Sequence, residues 1–158
     1  IDSLYPIILQ SFSDKKVFER RNRQLYAIVF YVSISVSVAF SLLANPIVRI
    51  LYGAAYAPTA GSLRIITWYT AFSYLGVARN AWIVSYEKQH YLIYLYIGSA
   101  VTNVLLNAAL IPVWGASGAA AASLVTQVST ILVFPALIKD LRPNVRLMIE
   151  AVMLKEIY

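Results

Sequence analysis

The sequence predicts an all-α fold, a polytopic membrane helix bundle of about four transmembrane helices. Composition is the first reason: 60% of the 158 residues are hydrophobic and 13% charged, against about 45–50% and about 25% in ordinary soluble domains. The second is segmentation, because four stretches reach the roughly 20 apolar residues that a helix needs to cross a hydrocarbon core of about 30 Å. The third is charge placement: the net charge of +6 comes from basic residues lying between the apolar runs, the bias of cytoplasmic membrane loops. Nucleic-acid binding would instead gather them on a water-facing surface.

The first span, residues 25–44, is uncharged and is expected to stop at Asn45-Pro46, since proline lacks an N–H and disfavours helix at the residue before it. The second, residues 65–86, carries a single charge, Arg79. The third, residues 91–111, is uncharged and is expected to end at Pro112; after a short Trp114-Gly115 turn, residues 117–138 form an uncharged fourth span. Residues 1–12 read as the end of a truncated helix and residues 13–24 as a basic cytoplasmic loop. In the tail, residues 139–158, Val145, Met148, Ile149 and Val152 recur at helical spacing against Arg146, Glu150 and Lys155, which predicts an amphipathic helix lying at the membrane surface.

Ten of the Lys and Arg residues flank the spans on one side, in residues 15–23, at Lys88 and in the tail, whereas the other side has Arg49 and Arg64. Positive residues are retained in the cytoplasm, so the C-terminus is expected there. Tyr26, Trp68, Tyr86, Tyr91 and Trp114 near the span ends fit interfacial aromatic belts.

Several chemistries are excluded or disfavoured. With no cysteine and one histidine, His90, the chain has no disulfide framework and no thiolate or histidine-built metal site. His90 lies in a short link where a solvated interfacial role outweighs a proton relay. The Gly115–Ser123 run lacks the preceding strand and the Gly-Lys-Ser/Thr ending of a phosphate loop. It is instead a packing surface, with Gly115, Gly118, Ala119, Ala122 and Ser123 letting another helix approach, as Ser33, Ser37 and Ser41 do on the first span.

Polar residues inside the spans are the candidate functional groups. Ser99, Asn103 and Asn107 draw a stripe along the third span, and Gln127 is their counterpart in the fourth. Amides in hydrocarbon need partners, which points to interhelix hydrogen bonds or to the wall of a wet cavity. Arg79 stands out, since an arginine in mid-span costs about 2.5–3.5 kcal/mol even on the lenient insertion scale. It lies roughly 10 Å inside the cytoplasmic edge. Snorkelling is one way to relieve that cost, but helical side chains lean toward their own N-terminus, here away from that edge. The other is a pairing or anion-facing role within a cavity beside Asn80. No Asp or Glu lies inside the four spans to serve as an internal partner.

Three stretches bear a family resemblance: residues 4–16 (LYPIILQSFSDKK), residues 44–68 (ANPIVRILYGAAYAPTAGSLRIITW) and residues 103–127 (NVLLNAALIPVWGASGAAAASLVTQ). The last resembles an N-x-x-x-N-x-x-L-I-P-x-x-G-x-x-G-A-A pattern. Together they resemble the bacterial polysaccharide or O-antigen flippases of the multidrug/oligosaccharidyl-lipid/polysaccharide exporter superfamily. The resemblance implies two six-helix bundles facing each other, with this chain supplying the last spans of the second six-helix lobe and a missing N-terminal lobe completing the cavity. It implies a multi-pass protein of the bacterial inner membrane that moves undecaprenyl-pyrophosphate-linked oligosaccharide between leaflets for polysaccharide or lipopolysaccharide synthesis.

Such a transporter makes and breaks no bond, so neither enzymatic activity nor a cofactor is expected. Its partners would be the lipid bilayer, the lipid-linked oligosaccharide, the missing lobe and glycan polymerase or transferase proteins, with no nucleic acid. On chemical grounds Arg79 would meet the diphosphate, while Asn80, Asn103, Asn107 and Gln127 would bond to the sugars. Alternatives are a multidrug or peptidoglycan-precursor exporter of the same superfamily, a non-transporting scaffold for glycan-assembly enzymes, or a membrane glycosyltransferase. The last would need a carboxylate pair that the spans lack.

Overall fold

The computed structural model describes residues 15–154, and these are helical almost throughout. Five helices follow one another: α1 (Lys15–Tyr52), α2 (Thr59–Ser85), α3 (His90–Trp114), α4 (Ala116–Leu137) and α5 (Arg142–Val152). Short 3-10 turns at Ala54–Tyr56 and Lys139–Leu141 join α1 to α2 and α4 to α5. The expected helix end at residues 1–12 and the tail's Lys155 lie outside the described residues.

Among the described residues, α1, α3 and α4 are long and apolar enough to cross a membrane. The fourth expected span, α2, has the length, 27 residues, but Ser62, Arg64, Thr67, Thr70, Arg79 and Asn80 lower its apolarity. All but Thr70, which is exposed and bonds within α2, make hydrogen bonds to neighbouring helices.

Three helix boundaries differ from those expected. The basic segment before residue 25 is not a loop, because α1 starts at Lys15 and buries Phe18, Asn22, Leu25 and Tyr26 at helical spacing. Phe18 meets the Tyr86 ring edge-on, with centroids 5.5 Å apart. That anchor helps hold the first turns helical despite their charge.

Nor do the prolines stop their helices. Pro46 lies inside α1 and Pro112 inside α3. A proline ring has a helix-compatible φ, and within a membrane bundle neighbouring helices take up the backbone groups that it frees. The carbonyl that Pro46 leaves without its helical donor is that of Leu42, and α2 holds α1 one residue earlier: Arg64 Nε donates to the Ser41 carbonyl at 3.3 Å and Trp68 Nε1 to Ser41 Oγ at 3.2 Å. The true stop of α3 is Gly115, whose φ of +55° suits glycine and whose N–H closes the last turn on Ile111.

The helices pack in the order α1–α2–α4–α3, with α5 laid across α1. Ser37 Oγ donates to the Thr67 carbonyl at 2.8 Å, and Ser41 Oγ lies 3.3 Å from Thr67 Oγ1, so two of the three serines on α1 do face a neighbour. Between α3 and α4 the approach is close at Gly118, where a Cβ would collide with the Leu110 carbonyl. Ala122 is fully buried nearby. Ser62 and Ser117, 3.1 Å apart, tie α2 to the start of α4.

The tail helix forms as expected, but its inner face differs from the anticipated stripe. Asn144, Val145, Leu147, Met148 and Ala151 are buried, whereas Ile149 is 49% exposed. Asn144 Nδ2 donates to the Tyr26 hydroxyl at 2.6 Å, the Tyr31 hydroxyl donates to the Val152 carbonyl at 2.8 Å, and Arg23 meets Glu150 at 3.5 Å. One face of α5 therefore docks on α1, and the other is left facing outward.

The basic segments converge at this same end of the bundle. Lys88 Nζ donates to the Asp140 carbonyl at 2.8 Å and the Tyr91 hydroxyl to its carboxylate at 2.7 Å. The α2–α3 link, the α4–α5 link and the start of α1 thus form a cationic end. Arg49 and Arg64 lie toward the opposite one.

Candidate functional site

Arg79 is 2% exposed and is among the largest fully buried side chains of the described residues. Its Nη1 donates to the Thr130 carbonyl on α4 at 2.5 Å, while Nη2 and Nε donate to Asn80 Oδ1 at 2.8 and 3.3 Å. Asn80 Nδ2 in turn donates to the Tyr96 hydroxyl on α3 at 2.8 Å. The guanidinium therefore clasps three helices through neutral partners. Of the two expected roles, pairing or facing an anion, it is the pairing that the geometry displays, as a buried clamp between α2 and α4.

The Thr130 carbonyl needs that donor because of a local irregularity in α4. Residues Ser129–Val133 form a π turn, in which the Phe134 N–H bonds to the Ser129 carbonyl, five residues back. In a regular α-helix the Phe134 N–H would serve Thr130. The five-back donor for Thr130 would be residue 135, which is proline and has no N–H. Both helical donors are thus lost, and a buried carbonyl without a partner costs about 1–3 kcal/mol. Arg79 supplies the missing N–H.

Asn103 and Asn107 form a second polar seam. Asn107 Nδ2 donates to Asn103 Oδ1 at 2.8 Å, and Asn103 Nδ2 reaches Thr126 Oγ1 on α4 at 3.4 Å. Asn103 thus makes the interhelix bond that its place in hydrocarbon requires. Gln127 goes elsewhere, lying over Gly76 of α2, where a Cβ would come within 3.3 Å of its Nε2. The five candidate residues therefore fall in three places, not one pocket: Arg79 with Asn80, Asn103 with Asn107, and Gln127 at the α2–α4 contact.

The sequence reading did not single out the features that complete these seams. Pro135 in an uncharged span was the available signal for an irregular α4. Asn144 had no signal beyond its polarity, and Tyr26, expected in an interfacial aromatic belt, is instead fully buried and bonded to it. One groove was equally hidden. It runs between α1 and α2, has a volume of about 620 Å³, and is apolar along Ile28, Val32 and Val36, with Ser33, Thr70 and Tyr74 adding hydroxyls. Such a volume suits a small-molecule or lipid-chain ligand. Among the described residues no cluster of three or more His, Cys, Asp or Glu side chains is placed to hold a metal ion.

No protein-family model, no curated protein and no solved structure matches the chain.

Proposed function

We propose that this chain is part of a membrane transporter that flips an undecaprenyl-pyrophosphate-linked oligosaccharide across the bacterial inner membrane. The observation that carries the reading is the groove between α1 and α2. Its apolar wall suits a polyprenyl chain that remains in lipid, and the hydroxyls of Ser33, Thr70 and Tyr74 offer hydrogen bonds beside it.

Three membrane-length helices support a membrane setting. The outward surface of α3 supports a second helical lobe as partner: Leu95 is its one buried residue among those described, while Ile97, Val101, Val104 and Leu105 are exposed. In this reading Arg79 holds the α2–α4 seam and does not touch cargo. The pyrophosphate falls to cations elsewhere, including Arg64, which is exposed one turn beyond Thr67 on α2.

Filling the groove tests the proposal. Ser33→Trp and Thr70→Trp, in cells that depend on this protein for glycan export, should lower the outer-leaflet lipid-linked oligosaccharide while membrane levels of the protein stay unchanged. Undiminished export by both variants would reject the groove as the carrier's path.

A further inference from the structure

The outward face of α5 carries a feature that the export reading leaves unused. Arg142, Arg146, Ile149 and Met153 recur there at helical spacing and, with Ala136, Glu150 and the edge of the buried Val145, line an open groove of about 740 Å³. Ile149 and Met153 also line a second, wholly apolar slot of about 200 Å³, which reaches inward between Phe30, Phe72 and Leu132. A cationic vestibule and an apolar slot thus share Ile149 and Met153 as a common wall. We propose that this composite is a binding site for an anionic glycerophospholipid of the surrounding bilayer.

Its position fits that occupant. α4 is long and apolar enough to span a membrane and ends at Leu137, which is 72% exposed. The vestibule lies at that helix end, reaching from Ala136 to Arg142 and Arg146, the depth where headgroups lie. The two arginines sit one turn apart at its rim, and Arg142 is oriented by its Nε bond to the Ala136 carbonyl at 2.9 Å. A guanidinium has five N–H donors in a planar fork suited to phosphate oxygens.

The one carboxylate lining the vestibule does not oppose an anion. Glu150 accepts from Arg146 Nε at 2.7 Å and lies 3.5 Å from Arg23, so two cations flank it. Lys139, also at this end, adds positive charge. The apolar slot gives an acyl chain a place that a free phosphate cannot use, which separates a phospholipid from a soluble anion.

The site is independent of the exported cargo and is tested without it. The full chain is reconstituted in phosphatidylcholine nanodiscs with and without phosphatidylglycerol, and the lipid retained after detergent release is read by native mass spectrometry. The wild type should keep phosphatidylglycerol in preference to phosphatidylcholine. R142Q/R146Q should bind it roughly twenty-fivefold more weakly, about fivefold for each arginine near the lipid surface. Ile149→Asp, at an exposed position, should also lose it by placing a carboxylate where head meets chain. R49Q/R64Q, at the opposite end, should retain it. Equal retention of the two lipids by the wild type, undiminished retention by R142Q/R146Q, or displacement of the lipid by inorganic phosphate alone would overturn the proposal.

Discussion

The Arg79 guanidinium caps the Thr130 carbonyl, a group whose two helical donors have both been removed, one by the π turn of α4 and the other by Pro135. This pairing accounts for an arginine in a membrane-length bundle without any carboxylate beside it. A charged donor is costly to bury, and so is an orphaned carbonyl; each relieves part of the other's cost. The π turn and Arg79 are therefore one structural unit spread over two helices.

That unit predicts coupling. Arg79→Met strands the Thr130 carbonyl and should destabilise the bundle by about 1–3 kcal/mol, less whatever is recovered by removing a buried charge. Pro135→Ala restores an N–H within reach of that carbonyl, so Arg79→Met should cost less in its presence. A double-mutant cycle by unfolding in mixed micelles should show an interaction of about 1 kcal/mol or more. Additive effects would mean that the two residues do not share the carbonyl.

The closeness of α3 and α4 rests on Gly118. Gly118→Val drives a side chain into the Leu110 carbonyl and should cost about 1–3 kcal/mol by prying the pair apart. Gly61→Ala is the control, because its new Cβ meets Ser117 Oγ at an ordinary 3.7 Å. Unfolding midpoints in detergent should separate the two variants clearly.

Docking of α5 depends on a polar bond at its buried face. Tyr26→Phe removes the hydroxyl that accepts from Asn144 and leaves a buried amide short of a partner, at about 1–3 kcal/mol. Hydrogen exchange should quicken across residues 142–152 while α3 and α4 remain as protected as before.

The seam between α3 and α4 should yield a smaller effect. Asn103→Leu breaks the bond to Thr126 and strands Asn107, and interhelix polar bonds in membranes contribute about 0.6–2 kcal/mol. A loss in that range in detergent unfolding supports the bond; an unchanged or higher stability would assign the amides to a wet wall instead.

The parts of the structure legible in the sequence are those set by composition and periodicity. Uncharged runs marked the helices, small residues marked the Gly118 and Ser37 contacts, and the cost of burying Arg79 marked it as structurally special. Helix ends were less legible: Pro46 and Pro112 read as stops, but a helix-compatible φ lets the chain continue through both. The buried face of Phe18, Asn22 and Tyr26 was masked by the basic residues interleaved with it. Arg79's partner was unreadable for a deeper reason, since it is a backbone carbonyl. It becomes a partner only through the π turn ahead of Pro135, and no side chain announces it.

Membrane topology is the most direct test of the central claim that these helices cross a bilayer with the cationic end in the cytoplasm. The chain has no cysteine, so single cysteines introduced at Arg20 and at Ala116 can be probed with an impermeant maleimide in intact cells. Cys at 116 should label from outside and Cys at 20 only after lysis. Labelling of both positions on the same side of the membrane, or the reverse pattern, would contradict the account.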